Sequence, residues 1–301
     1  MAAPSSPTVA VASARLESPW KLGGLTPLRL AFRVVRAAWQ DDLISRASGL
    51  AFDFILAFFP LMVFILAVFG LFTARDAQLQ GNLLAYFAVL LPPKVFALFN
   101  IVFNDLAANS SGGKLTFGIV AGLWFASSGM NSIISTLNVV YRVREARSWF
   151  RVRVVAFALT LAMAILLLAA LLLVLVGSHA VDWLAAEFSW SSFLALAWKN
   201  LRWPAAVLSA LISFSLIYYC GPNLAKQRRR WITPGSLFGT LLWLASSAGL
   251  RIYMQFSNGY TATYGSLGGV IVILVWCQVS GLAFLVGGEI NAEIERAAAG
   301  D

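Results

Sequence analysis

The sequence predicts an all-α, polytopic integral membrane protein. It has six transmembrane helices, both termini in the cytoplasm and amphipathic helices on the extracytoplasmic side. Three observations predict this. Hydrophobic residues make up 60% of the 301 positions and charged residues only 12%, about half the charged share of an average soluble chain. Mean hydropathy is +0.80. The apolar residues also fall in continuous runs, at about 47–72, 115–140, 154–177, 203–220, 235–257 and 266–288, each long enough to approach or exceed the reach of a bilayer-crossing helix. A transmembrane β-barrel would show alternating segments of about ten residues instead.

The elements follow in order. Residues 1–27 begin with an Ala/Ser/Pro-rich stretch that lacks the apolar core of a cleavable signal, and they are expected to be a disordered tail. A single membrane domain covers 28–298, starting with a basic helix at about 28–39, and 299–301 form a short tail. Sixteen Lys/Arg fall on one side of the six spans, including Arg29, Arg33, Arg36, Arg142, Arg147, Arg153 and the run Lys226–Arg230. Five fall on the other. The excess of positive charge stays cytoplasmic, which puts both termini inside and makes the number of spans even. That excludes a seventh span at 83–103, which Pro92, Pro93 and Lys94 also interrupt. Two amphipathic helices at about 79–91 and 94–108 are expected there, with a further interfacial element at 181–198.

The net charge of +9 raises the question of nucleic acid. The alternation of basic and non-basic loops assigns these charges to topology and to anionic lipid headgroups, so no nucleic-acid partner is expected. Two cysteines, Cys220 and Cys277, and one histidine, His179, give neither a CxxC pair nor a His-rich metal site. No metal, no cofactor and no enzymatic activity are expected. No GxxxxGK[ST] phosphate loop is present, so any transport would be passive or ion-coupled.

Polar groups inside apolar spans are expensive and are the natural functional candidates. Asp53 lies about six residues into the first span, roughly 9–10 Å deep at the rise of an α-helix. It is either a proton- or cation-linked carboxylate or a structural one paired with Arg46 or a neighbouring helix. Ser128, Asn131, Ser135 and Asn138 recur at spacings of 3, 4 and 3, which sets them on one helical face. That face is helix–helix glue or the lining of a polar pathway. Gln278 in the last span calls for an interior partner.

Three pairs, Gly118–Gly122, Gly235–Gly239 and Gly265–Gly269, match the small-xxx-small pattern of close helix packing. Glu289 follows the last span, where it is expected to meet water and the basic loops 142–153 and 226–230 as a cytoplasmic-face latch.

Several segments carry a resemblance. They are SRASGLAFDFILAFFPLMVF at 45–64, YYCGPN at 218–223, RRRWITPGSLFGTLLW at 228–243, and the stretch from YTATYGSLGGVIVILVW to GGEINAEIE at 260–295. Together they resemble the YihY/virulence factor BrkB family of bacterial inner-membrane proteins. The resemblance runs from about 28 to 296. It implies a multi-pass inner-membrane protein with a role in the envelope or virulence. Asp53 departs from the family pattern, which places an aromatic near this position, whereas Tyr264, Gly265 and Glu289 match.

The family has also carried a ribonuclease label. RNA cleavage needs clustered metal ligands or acid–base groups beside a phosphate, and a chain with one histidine and scattered acids offers neither. The expected function is therefore a transporter or permeation protein for an unknown small solute or lipid. The alternative is a non-transporting envelope scaffold that interacts with membrane lipids. Either could be oligomeric.

Overall fold

The computed structural model describes residues 19–57, 81, 84–85, 100–101, 112–188, 192–224, 231–256 and 267–299. Described residues in regular structure are helical, and no strand occurs among them. A 3-10 turn, Pro19–Gly24, leads into α1, Pro27–Gln40. Helix α2 covers 43–57. Then come α3, Gly112–Val140, α4, Trp149–Phe188, α5, Ser192–Cys220, α6, Pro234–Phe256, and α7, Leu267–Ala299. Among the described residues, Trp149–Ala170, Trp203–Cys220 and Ile271–Ala299 are long and apolar enough to cross a membrane. The expected helices at 79–91 and 94–108 lie almost wholly outside the described residues, as do the outer part of the first span, the loop 258–265 and the basic run Lys226–Arg230.

Two expectations need correction. Pro19–Gly24, inside the segment expected to be disordered, is an ordered turn packed on α7. Gly23 makes this possible: its φ is 63°, and a Cβ there would lie 2.7 Å from the Ile294 carbonyl oxygen. The interfacial element at 181–198 is not a separate helix. Its first half completes the 40-residue α4 and its second half opens α5. No proline interrupts 149–188, so the backbone hydrogen bonds continue past Asp182 and Glu187. At 1.5 Å per residue α4 is about 60 Å long, twice the thickness of the hydrocarbon core, so it projects well beyond the bilayer. Helix α7 carries the last expected span and runs on past Gly288 to Ala299.

Helix α7 is the hub. It packs against α6, the 3-10 turn, α1 and α3, while α4 pairs with both α3 and α5. It also meets α2 where Gly281 faces Ala47. The main core joins Leu43, Ala47 and Leu50 of α2, Ile134 and Leu137 of α3, Leu159 of α4, Tyr218 of α5 and Leu285 of α7. Outward faces stay apolar, with Ile165 on α4 and Ile273 on α7 both more than half exposed. Lipid, not water, suits such faces.

Candidate functional site

The motif-bearing segments meet at one end of the bundle. Pro234 starts α6, and its first turn is pressed against the C-terminal half of α7. A Cβ on Gly235 would lie 2.1 Å from the Gly287 carbonyl oxygen, and one on Gly287 would lie 3.0 Å from the Gly239 Cα. Helices this close tolerate only glycine at the crossing. Gly235 N–H donates to Asn291 Oδ1 at 2.9 Å, so a side chain of α7 satisfies an N–H that the first turn of α6 leaves open. The buried Tyr218 hydroxyl donates to the Phe284 carbonyl oxygen, and its ring stacks on Phe284 with centroids 4.7 Å apart. Thus YYCGPN, TPGSLFG and GGEIN form one knot.

Charges lie inside that knot. Glu289 is fully buried and pairs with Arg296 of its own helix, two turns on. Arg296 also reaches Glu293 at 2.9 Å, and Arg33 of α1 approaches Glu293 at 3.8 Å. The expected latch to the basic loops is therefore corrected. The 3-10 turn, α1 and α6 pack around the end of α7, and Glu289 meets Arg296 rather than water. Its second carboxylate oxygen has no partner among the described residues.

A second junction ties α3 to α5. Asn138 is buried; its Nδ2 donates to Glu145 Oε2 at 2.9 Å, and its Oδ1 accepts from Asn223 N–H at 2.8 Å. Asn223 Nδ2 donates to the Arg144 carbonyl oxygen. Arg147 donates to both oxygens of Glu145 and, at 2.8 Å, to the carbonyl oxygen of Gly221 beyond the C-terminus of α5. A cation here complements the negative end of the helix dipole. Hydrogen bonds from Arg147 hold the Glu145 carboxyl down at about 2, with Asn138 adding to them. Beside this junction, burial pushes the Tyr141 phenol well up, with the Glu295 carboxylate adding to it, so it stays protonated.

The polar stripe of α3 divides. Asn138 belongs to the junction. Ser128, Asn131 and Ser135 are exposed. Ser128 Oγ accepts from Arg153, whose guanidinium donates to the Trp124 carbonyl oxygen at 2.8 Å and lies 4.1 Å over the Trp124 ring. Asp53 is half-buried on α2, near the crossing with α3 at Gly129. The Arg46 side chain donates to the Asp41 carbonyl oxygen. Gln278 Nε2 donates to Ser48 Oγ at 2.9 Å, a bond between α7 and α2. Gly122 is buried. Gly118 and Gly269 lie in α3 and α7, and Gly265 falls outside the described residues. Cys220 and Cys277 are free thiols. No metal-holding cluster of His, Cys, Asp or Glu occurs among the described residues.

Sequence reasoning missed Arg296, Arg147, Glu145, Tyr218 and Gly287. One signal was available. Glu289, Glu293 and Arg296 share a helical face once the helix is continued past Gly288. Arg147 counts in the sequence for topology and as part of the latch loop 142–153, and nothing local marks it as a helix cap for α5.

YfkH of Bacillus subtilis, whose name likens it to a ribonuclease, is 37% identical over 84% of this chain and 90% of its own length. A UPF0761 membrane protein of Mannheimia succiniciproducens is 24% identical over 89% of this chain and 90% of its own. Another, of Laribacter hongkongensis, is 27% identical over 93% of this chain, which spans 64% of that longer relative. No solved structure matches. The family model described as virulence factor BrkB matches residues 34–301, including every segment of the knot. The chain belongs to the virulence factor BrkB family of membrane proteins.

Proposed function

We propose that the chain is a multi-pass protein of the bacterial inner membrane, with six spans and cytoplasmic termini, and that it offers a polar passage to a small solute or lipid. The carrying observation is the face of α3 on which Ser128, Asn131 and Ser135 stand exposed in a helix of mainly apolar sequence. An exposed amide in hydrocarbon is costly, so such a face fits against water or another protein surface. The Arg153 guanidinium at Ser128 gives this face a cationic end, which favours an anionic or zwitterionic solute. Asp53, half-buried nearby on α2, supplies a carboxylate for ion coupling. The distribution of Lys and Arg supports the orientation.

The scaffold reading draws on a different observation: Asn138 and Gln278 are taken up in structural hydrogen bonds. A ribonuclease role finds no support in a chain with one histidine, and purified protein is expected to leave RNA intact. Reconstitution into liposomes separates the first two readings. Flux is measured for a panel of ions, metabolites and labelled lipids, with Asn131→Leu and Asp53→Asn beside the wild type. Flux in the wild type that falls in Asn131→Leu supports the passage. Wild-type liposomes no leakier than empty ones across the panel would favour the scaffold.

A further inference from the structure

Helix α1 carries two apolar faces, and only one of them is covered by protein. Leu30, Val34 and Ala37 are buried, with Leu30 and Val34 packed on Ile294 of α7. On the opposite side Leu28, Phe32, Val35 and Trp39 are 82%, 72%, 57% and 74% exposed. At about 100° per residue these four fall within roughly 60° of arc, a single stripe along the helix. Arg29 and Arg36, both exposed, lie together about 80–100° round from Leu28, on one flank of the stripe. The other flank holds Ala31 and Ala38 and no charge. Arg33, further round on the basic side, reaches Glu293.

This four-sided layout does not suit water, because a soluble surface helix exposes its polar face and hides the apolar one. It also does not suit a span, since 14 residues reach only about 21 Å. It suits a helix at the rim of the bundle in the headgroup region, with protein behind, acyl chains in front and phosphates along one flank. The same end of the bundle exposes Trp20 and Trp231, residue types that collect at membrane–water interfaces.

We infer that α1 is a lipid-binding element. Its Leu28–Phe32–Val35–Trp39 stripe enters the acyl region of the leaflet, and Arg29 and Arg36 bind the headgroups of acidic phospholipids. The inference rests on residence in a bilayer and not on any transported solute, so a failed flux experiment leaves it standing. Two exposed guanidiniums on one flank of an apolar stripe select an anionic lipid surface over a second copy of the chain, because two such stripes brought together would also bring their arginines together.

The test uses the full chain in nanodiscs of phosphatidylcholine and phosphatidylglycerol, with bromine on the acyl chains of one lipid at a time. The Trp39→Phe variant identifies the emission that belongs to Trp39. We expect Trp39 to be quenched by brominated lipid and spared by aqueous iodide. Quenching from brominated phosphatidylglycerol should be severalfold above its share of the mixture, and should fall to that share in the Arg29→Gln/Arg36→Gln protein. Quenching by iodide alone would place the stripe in water, and quenching by neither agent would place protein over it. Either result overturns the inference. An unchanged lipid preference in the double variant overturns the headgroup assignment.

Discussion

At the residue scale, stability turns on buried groups with few alternatives. Glu289 is fully buried and its carboxylate is matched by one guanidinium. Removing one partner of a buried pair costs about 3–5 kcal/mol, because the other charge is left uncompensated. Arg296→Ala is therefore expected to lower the yield of folded protein and its melting temperature. Adding Glu289→Gln to it should restore part of the loss. If the double variant melts no higher than Arg296→Ala, the pair is not coupled. The Gly235–Gly287 crossing has no room for a methyl group. Overpacking typically costs about 1–3 kcal/mol, so Gly235→Ala should melt well below wild type, while Gly249→Ala, which meets open space, should not.

At the element scale, the ends of α3 and α5 are held by hydrogen bonds as well as by their apolar faces. Asn138→Ala removes two of these bonds and strands the Asn223 N–H, at about 1–3 kcal/mol. Asn131→Ala, on the exposed part of the same stripe, should leave the melting temperature unchanged. Equal destabilisation by the two would contradict the division of the stripe described above. The Glu145–Arg147 clasp adds a pH dependence. The Glu145 carboxyl is lowered from 4.5 to about 2 in the folded state, so the folded state favours its ionised form. Its contribution is present above about pH 4.5 and is lost as pH falls towards 2. Melting curves of wild type and Glu145→Gln should differ at pH 6 and draw together as pH falls from about 4.5 towards 2. A difference that grows with acidity would reverse the sign of this argument.

At the scale of the whole molecule, α7 organises the structure. One face of its C-terminal half receives α6, while the 3-10 turn and α1 cover others, and its middle meets α2. The long α4 projects beyond any single bilayer thickness. The protein thus has a tightly packed cluster around the C-terminal half of α7, and its helices carry apolar outer faces. Deleting residues 1–40 should uncover Ile294 and Glu293 together. That truncation is expected to lower the melting temperature of the whole protein, not to release an independent tail. An unchanged melting curve would mean that α1 adds nothing to the cluster.

The sequence by itself determined the class of protein, because the bilayer imposes it. Long uncharged runs such as 154–177 can only be satisfied as helices in lipid, and 45–64, 218–243 and 260–295 identify the family without any fold. It also marked the Gly235–Gly239 pair, since small residues at that spacing carry a packing signal in their chemistry. Tertiary structure decided what each polar residue does. Asn131 and Asn138 are alike in sequence, yet one is exposed and the other binds two loops. Glu289 reads as a solvated residue just beyond the last span, and is the buried centre of a knot because three elements close around it. Burial is a property of neighbours distant in the chain, such as Gly235 against Gly287 and Arg33 against Glu293. Local periodicity carries no record of them.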